Sequence, residues 1–182
     1  MIRLASSSPT RAKLLQSAGI EFVQECVDFD EEKIVATSAK NFVYKATLGK
    51  FEANLKAFGY EDFPLLVADT VVTSSGQILR KARCADEARN ILMTQSQSVT
   101  SIITCMIFQS CEMNIIDISK TEYLFDAFDM NDVESYLSSG EWRGKAGACM
   151  VEGFCKKYIK STKGYESTAM GLNTDLLRRF LF

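Results

Sequence analysis

Within its first 27 residues the chain reads as strand, loop, helix and strand, an opening that commits it to folds mixing sheets with helices. Ile2-Arg3-Leu4-Ala5 is a short apolar run that breaks into Ser6-Ser7-Ser8-Pro9, and a helical pattern with Leu14, Leu15 and Ala18 follows, ahead of Gly19. A serine hydroxyl satisfies orphan N–H groups at a helix start. Proline suits the first helical position because its missing N–H would be unpaired there anyway, and glycine takes the turn that stops a helix. Ser8, Pro9 and Gly19 fill these three roles. Ile20 to Val27 then reads as a second strand, ending in the acidic stretch Asp28-Phe29-Asp30-Glu31-Glu32.

The remainder continues the alternation. The spacing of Phe42, Ala46, Ala53, Leu55 and Ala57 in a lysine-rich background predicts an amphipathic helix from about Ser38 to Phe58, closed by Gly59. Leu65-Leu66-Val67-Ala68 reads as a buried strand with Asp69-Thr70 at its end, and Val71-Val72-Thr73 with Ile78-Leu79 as a hairpin around Ser74-Ser75-Gly76. Asp86 to Met93 and Asn131 to Leu137 are predicted helices, the latter ended by Gly140. Residues 99 to 108 and 115 to 126 are β-rich, Lys156 to Ile159 is a predicted strand, and Asn173 to Phe182 is a terminal helix. There is no internal repeat or linker, so the expectation is one α/β domain over residues 1–182.

Composition narrows the chemistry. Lys and Arg total 21 against 23 Asp and Glu, a balance that gives no reason to expect a nucleic-acid polymer or a membrane as partner. The sequence reads without a signal peptide or transmembrane run, and the six cysteines, without CxxC spacing in a chain with 47% apolar residues, read as reduced core thiols, so a cytoplasmic protein is expected. Phe125, Phe128, Met130 and Trp142 read as core. The absence of histidine excludes Ser-His-Asp and Cys-His nucleophiles and His-bearing zinc sites, leaving acid-base work to carboxylates or lysines.

Five blocks in colinear order carry a resemblance. Leu4-Ala5-Ser6-Ser7-Ser8-Pro9-Thr10-Arg11 with Leu14-Leu15 is similar to the opening of Maf proteins, LAS-x-SP-x-R-x-x-LL. Val67-Ala68-Asp69-Thr70-Val71-Val72 resembles that family's ADT block, and Ile78-Leu79-Arg80-Lys81-Ala82 its IL-GKP block. Ser139-Gly140-Glu141-Trp142 through Lys145-Ala146-Gly147 resembles its SGE and KAG blocks, and Met170-Gly171-Leu172 its VGLP. The departures, Ala82 for proline, Gly144 for the acid before KAG and no histidine after residue 97, mark a divergent branch.

The resemblance implies an elongated mixed β-sheet flanked by helices, in two lobes with a central cleft. It also implies hydrolysis of nucleoside triphosphates, non-standard or modified ones among them, to monophosphate and pyrophosphate with Mg²⁺ or Mn²⁺. A homodimer is common for such a fold. It assigns Asp69 as proton acceptor for the attacking water. Asp69 is also a candidate metal ligand with Glu31 as partner, hard divalent cations preferring carboxylate oxygens. In the strand-to-helix loop, Ser6, backbone N–H groups and the helix terminus can cradle phosphate with Arg11 as a forked cation. Lys50 and Lys81 match family lysines suited to the outer phosphates. Thr10, Thr70 and Glu152 occupy the positions of base selection, and the acceptor-only Glu152 suits the N1–H and amine of guanine. Read singly, these residues have plainer accounts: a Ser-Pro cap with a surface arginine, a turn-capping aspartate, a solvated acidic loop, surface lysines and a surface glutamate. A different class of function, a nucleotide-binding regulator of cell division without turnover, is the alternative.

Overall fold

The computed structural model describes residues 1–31 and 34–182, so Glu32 at the end of the acidic stretch lies outside the described residues. Among the described residues, seven strands form one mixed sheet in the order β2-β1-β3-β5-β6-β7, with β4 beside β3. In chain order the elements are β1 (Ile2–Leu4), α1 (Pro9–Ser17), β2 (Phe22–Gln24), α2 (Ala39–Phe58), β3 (Leu65–Ser74), β4 (Gln77–Leu79) and α3 (Ala85–Gln95). They continue with β5 (Val99–Gln109), β6 (Asn114–Phe125), α4 (Met130–Ser139), β7 (Ile159–Lys163), α5 (Glu166–Ala169) and α6 (Thr174–Leu181). This is the helix-flanked mixed sheet of the α/β expectation. No helix among the described residues is long and apolar enough to cross a membrane.

The chain divides into two compact units, the first made of Met1–Thr70, Ile103–Ser119 and Tyr165–Phe182. Here β1 pairs in parallel with β2 (Ile2 with Phe22) and with β3 (Arg3 with Leu65, Leu4 with Leu66). Successive strand side chains point to opposite faces, and the burial follows that period. Leu4, Leu66, Ala68, Met106 and Phe108 pack on one face with Leu15 of α1 and Leu177 of α6. Ala5, Leu65, Val67 and Ile107 pack on the other with Phe51 of α2. Each such fully buried leucine contributes about 1.5–3 kcal/mol. The same alternation fixes where the next two residues point: Asp69 toward the α2 face and Thr70 toward the α1 face.

The second unit comprises Val71–Ile102 and Lys120–Gly164. Its hairpin pairs Val72 with Leu79 and Ser74 with Gln77, and the two turn residues, Ser75 at φ 50° and Gly76 at φ 75°, take the left-handed conformation that matches strand twist. Arg89 of α3 grips Glu134 of α4 through two guanidinium nitrogens, Nε to Oε1 at 2.7 Å and one terminal nitrogen to Oε2 at 2.8 Å. Phe128 lies against the rings of Phe125, Phe154 and Tyr158. Trp142 is 1% exposed, its indole N–H donating to the Leu137 carbonyl.

Several expectations need correction. β3 does not end before Asp69; it runs on to Ser74, because its far end gains β4 as a new partner after the pairing with β1 stops at Leu66. The second strand spans only Phe22–Gln24, limited by the three-residue length of β1. Phe154–Tyr158, expected partly as strand, is a 3-10 turn. The strand follows at Ile159–Lys163, polar in sequence and held by its antiparallel pairing with Glu122–Phe125. Met130 is 46% exposed at the first position of α4 rather than in the core. Cys26, Cys84 and Cys111 are exposed, and only Cys105, Cys149 and Cys155 are core residues. Burial pushes the Cys105 thiol up to about 11.

Candidate active site

The loop between β1 and α1 is held open by capping chemistry. Ser8 Oγ accepts from the Arg11 N–H at 3.4 Å with Pro9 opening the helix, as its sequence predicts. Ser6, 8% exposed, accepts at Oγ from the Ser8 N–H at 3.3 Å, and the amide nitrogen of Gln24 in β2 donates to the Ser6 carbonyl at 2.7 Å. The loop is therefore fixed from both sides.

One turn into α1, the half-buried Arg11 spreads its fork over three acceptors of the first unit. Nε donates to the Gly171 carbonyl at 2.8 Å, one terminal nitrogen to Ser6 Oγ at 3.0 Å, and the other to Thr70 Oγ1 at 3.2 Å. Three of the five guanidinium N–H groups are engaged in this way. Burial pulls the Arg11 pKa below its ordinary value, while the negative charges of Asp69 and Glu31 raise it. The guanidinium stays charged throughout. Gly171, at φ +106°, has a reason to lack a side chain: a Cβ there would stand 3.3 Å from Thr70 Oγ1 and 3.4 Å from Arg11 Nε.

On the α2 face, Lys50 brings two carboxylates together. Its ammonium lies 2.5 Å from Glu31 Oε1 and 3.0 Å from Asp69 Oδ1. Asp69 is 9% exposed. Glu31 reaches α2 because Phe29 packs on Gly49, where a Cβ would overlap the phenyl ring. Gly49 is thus the notch that seats the acidic segment beside Lys50. Two carboxylates converging on one cation are the hard oxygen donors that Mg²⁺ or Mn²⁺ takes, and such ions complete their shell with phosphate oxygens and water. Among the described residues no group of three or more acidic, cysteine or histidine side chains gathers to hold a metal without that help.

The first unit therefore unites Ser6, Arg11 and Thr70 in one hydrogen-bonded cluster, and Glu31, Lys50 and Asp69 in another. Asp69 and Thr70, adjacent on β3, connect the two. Thr10 is half-buried in the first turn of α1. Lys81 and Glu152 belong to the second unit. There the exposed Lys81 forms a backbone bridge to Ala146, Gly147 N–H donates to the Leu79 and Arg80 carbonyls, and Glu152 Oε1 lies 3.8 Å from the Lys145 ammonium. The two sequence blocks around Lys81 and Gly147 are thus joined by main chain.

Sequence reading missed the acceptor role of Gly171 and the hydroxyl of Thr104 behind Thr70, at 2.9 Å. It also missed the Phe29–Gly49 seat and the Gln24 brace. The Met170-Gly171-Leu172 block was the available signal for the first. A threonine in a β-rich run gives none.

A helix-flanked mixed sheet, with a capped strand-to-helix loop and Asp69 of β3 joined through Lys50 to Glu31, defines an α/β protein. The family model described as Maf-like protein matches residues 1–182, and the chain belongs to that family. It is 56% identical over 97% of its length to a protein of a Nitratiruptor species named nucleoside triphosphate pyrophosphatase, covering 96% of that protein. Proteins with the same name from Helicobacter pylori and Campylobacter jejuni are 37% and 36% identical. The matches cover 94% of this chain and 90% of the first, and 100% of this chain and of the second.

Proposed function

We propose that this chain is a nucleoside triphosphate pyrophosphatase, splitting the α–β anhydride to give a nucleoside monophosphate and pyrophosphate. The observation that carries the reading is the adjacency of Asp69 and Thr70, which joins a carboxylate–ammonium cluster to a guanidinium–hydroxyl cluster on consecutive residues of one strand. A polyphosphate needs charge neutralisation and a water aimed in line at phosphorus. Asp69 accepts the proton of that water as its oxygen bonds to the α-phosphorus, and the bond from phosphorus to the bridging oxygen breaks to release pyrophosphate. Lys50 leaves its carboxylates for the phosphate chain, joined by the Ser6 loop and the remaining N–H groups of Arg11; Lys81 is a proposed phosphate ligand on the family resemblance alone. Asp69 and Glu31 are the residues that would hold a divalent cation, which when bound neutralises phosphate charge and acidifies water.

Thr10, Thr70 and Glu152 are the proposed base-selecting residues, Glu152 on the family resemblance alone; its acceptor-only carboxylate suits guanine, so that a purine or modified purine nucleotide is the favoured substrate. A homodimer, expected from the family resemblance, and a cytoplasmic location, expected from the cysteine pattern, accompany the reading. The test is a panel of nucleoside triphosphates assayed for pyrophosphate with Mg²⁺ or Mn²⁺. Monophosphate and pyrophosphate in equal amounts, abolished by chelation and restored by excess metal, are expected. Orthophosphate with diphosphate, or no turnover of any nucleotide, overturns the reading.

The seat of the acidic segment gives a further expected result. Gly49→Ala forces the Phe29 ring off α2, and turnover should fall on the order of tenfold, since misplacement by about 1 Å can cost up to ~10²-fold. The thermal midpoint should move little, because alanine gains about 1 kcal/mol of helix propensity over glycine, offsetting the lost ring contact. Steady-state assay beside thermal melting measures both.

A further inference from the structure

Thr104, on β5 of the first unit, takes no part in the functional reading above, yet it is 1% exposed and hydrogen-bonded on both sides. Its Oγ1 lies 2.7 Å from the Thr168 carbonyl of α5 and 2.9 Å from Thr70 Oγ1. Proton counting makes these contacts directional. A carbonyl can only accept, so the single Thr104 proton goes to Thr168. Thr70 must then donate its own proton to Thr104, which leaves its lone pairs to receive the N–H of Arg11, a group that can only donate. The chain therefore runs one way, from Arg11 through Thr70 and Thr104 to the Thr168 carbonyl. Reversing the Thr70–Thr104 link would give up the 2.7 Å bond to the Thr168 carbonyl, which would keep the Gly171 N–H at 3.1 Å.

We infer that Thr104 is a positioning residue for the nucleotide site: it fixes the Thr70 hydroxyl as an acceptor and thereby holds the Arg11 fork in its phosphate-facing orientation. The Thr70 hydroxyl then offers an arriving substrate lone pairs and no proton, so it meets N–H or O–H groups of the nucleotide and not phosphate oxygens. Arg11, in turn, is held before substrate arrives, so loss of Thr104 weakens substrate capture more than it slows the chemical step. The inference rests on the proposed reading of this cluster as the nucleotide site.

Thr104→Val keeps the shape and removes the hydroxyl. It is expected to raise KM for a nucleoside triphosphate about tenfold, the equivalent of one well-placed hydrogen bond, while kcat changes less than about threefold. Thr104→Ser, which restores the hydroxyl, should return KM to within about twofold of wild type. In an Arg11→Met background, Thr104→Val should add no further loss, because the group it positions is gone. A readout free of substrate accompanies these: solvent exchange of the Arg11 Nε–H, followed by NMR in the protein alone, should be faster in Thr104→Val and wild-type-like in Thr104→Ser. Should Thr104→Val not fold, Thr104→Cys, a weak donor of similar size, takes its place with intermediate effects expected. Unchanged Arg11 exchange with unchanged KM, or losses that multiply with Arg11→Met, overturn the role of Thr104. A wild-type protein that turns over no nucleotide overturns the functional reading instead, and the exchange measurement still decides whether Thr104 holds Arg11.

Discussion

Asp69→Asn is expected to release pyrophosphate about 10³-fold more slowly than the wild type at saturating nucleotide, within the ~10²–10⁴-fold range of a positioned general base. The substitution keeps the size of the side chain and its hydrogen bond from Lys50, and removes the capacity to take a proton. Because Lys50 still has Glu31 at 2.5 Å, its ammonium is not left without a counter-charge, and the loss of stability should stay near 1 kcal/mol. The drop is therefore to be measured against a thermal midpoint within a few degrees of wild type. Metal concentration separates the two roles open to this carboxylate. A lost metal ligand is compensated when Mg²⁺ or Mn²⁺ is raised, whereas a lost proton acceptor is not. Activity above a tenth of wild type at any metal concentration would remove Asp69 from the role of base. Nucleotide binding that persists in Asp69→Asn, read by the rise in melting temperature on adding substrate, would place the defect in the chemical step.

Much of this site was legible because its pieces are local. The Ser8 cap, Pro9 and Gly19 announce a helix start and stop within a dozen residues, and both are found where the residue types require them. Ser38 and Gly59 do the same for α2, with Ser38 Oγ accepting from the Asn41 N–H at 3.1 Å. What local pattern cannot carry is partner exchange along a strand. Asp69 was expected at a strand end because the apolar run stops at Ala68, yet β3 continues through Ser74 with a different neighbour. Pairing across 160 residues, as between Arg11 and the Gly171 carbonyl, likewise leaves no trace in periodicity. Only the motif Met170-Gly171-Leu172 pointed there, and as sequence it was a family-like block with no task. The polar strand Ile159–Lys163 was misplaced for a related reason: its order comes from cross-strand hydrogen bonds to Glu122–Phe125, and its own side chains are mostly exposed.

Arg11→Lys is the second change with a large expected effect, and it should damage stability and activity together. The three acceptors of Arg11 diverge: the Gly171 carbonyl at 2.8 Å, Ser6 Oγ at 3.0 Å and Thr70 Oγ1 at 3.2 Å. A planar fork reaches all three at once; an ammonium is a point donor on a flexible stem. At least one part-buried acceptor is then left unpaired, at about 1–3 kcal/mol, and for a chain of this size the thermal midpoint should fall roughly 5 °C. Turnover at low substrate should fall by about 10²-fold, because the guanidinium also neutralises phosphate in the proposed complex. Charge is conserved in this substitution, so a purely electrostatic role for Arg11 predicts near-normal activity, and that outcome would contradict the fork. Ligand linkage gives the sharper reading. A ligand at 100 times its dissociation constant stabilises a protein by about 2.7 kcal/mol, so pyrophosphate or a non-hydrolysable triphosphate should lift the wild-type midpoint by several degrees. The same concentration should lift that of Arg11→Lys much less. An equal lift in both proteins would mean that the guanidinium serves the fold alone and that phosphate is met by other groups.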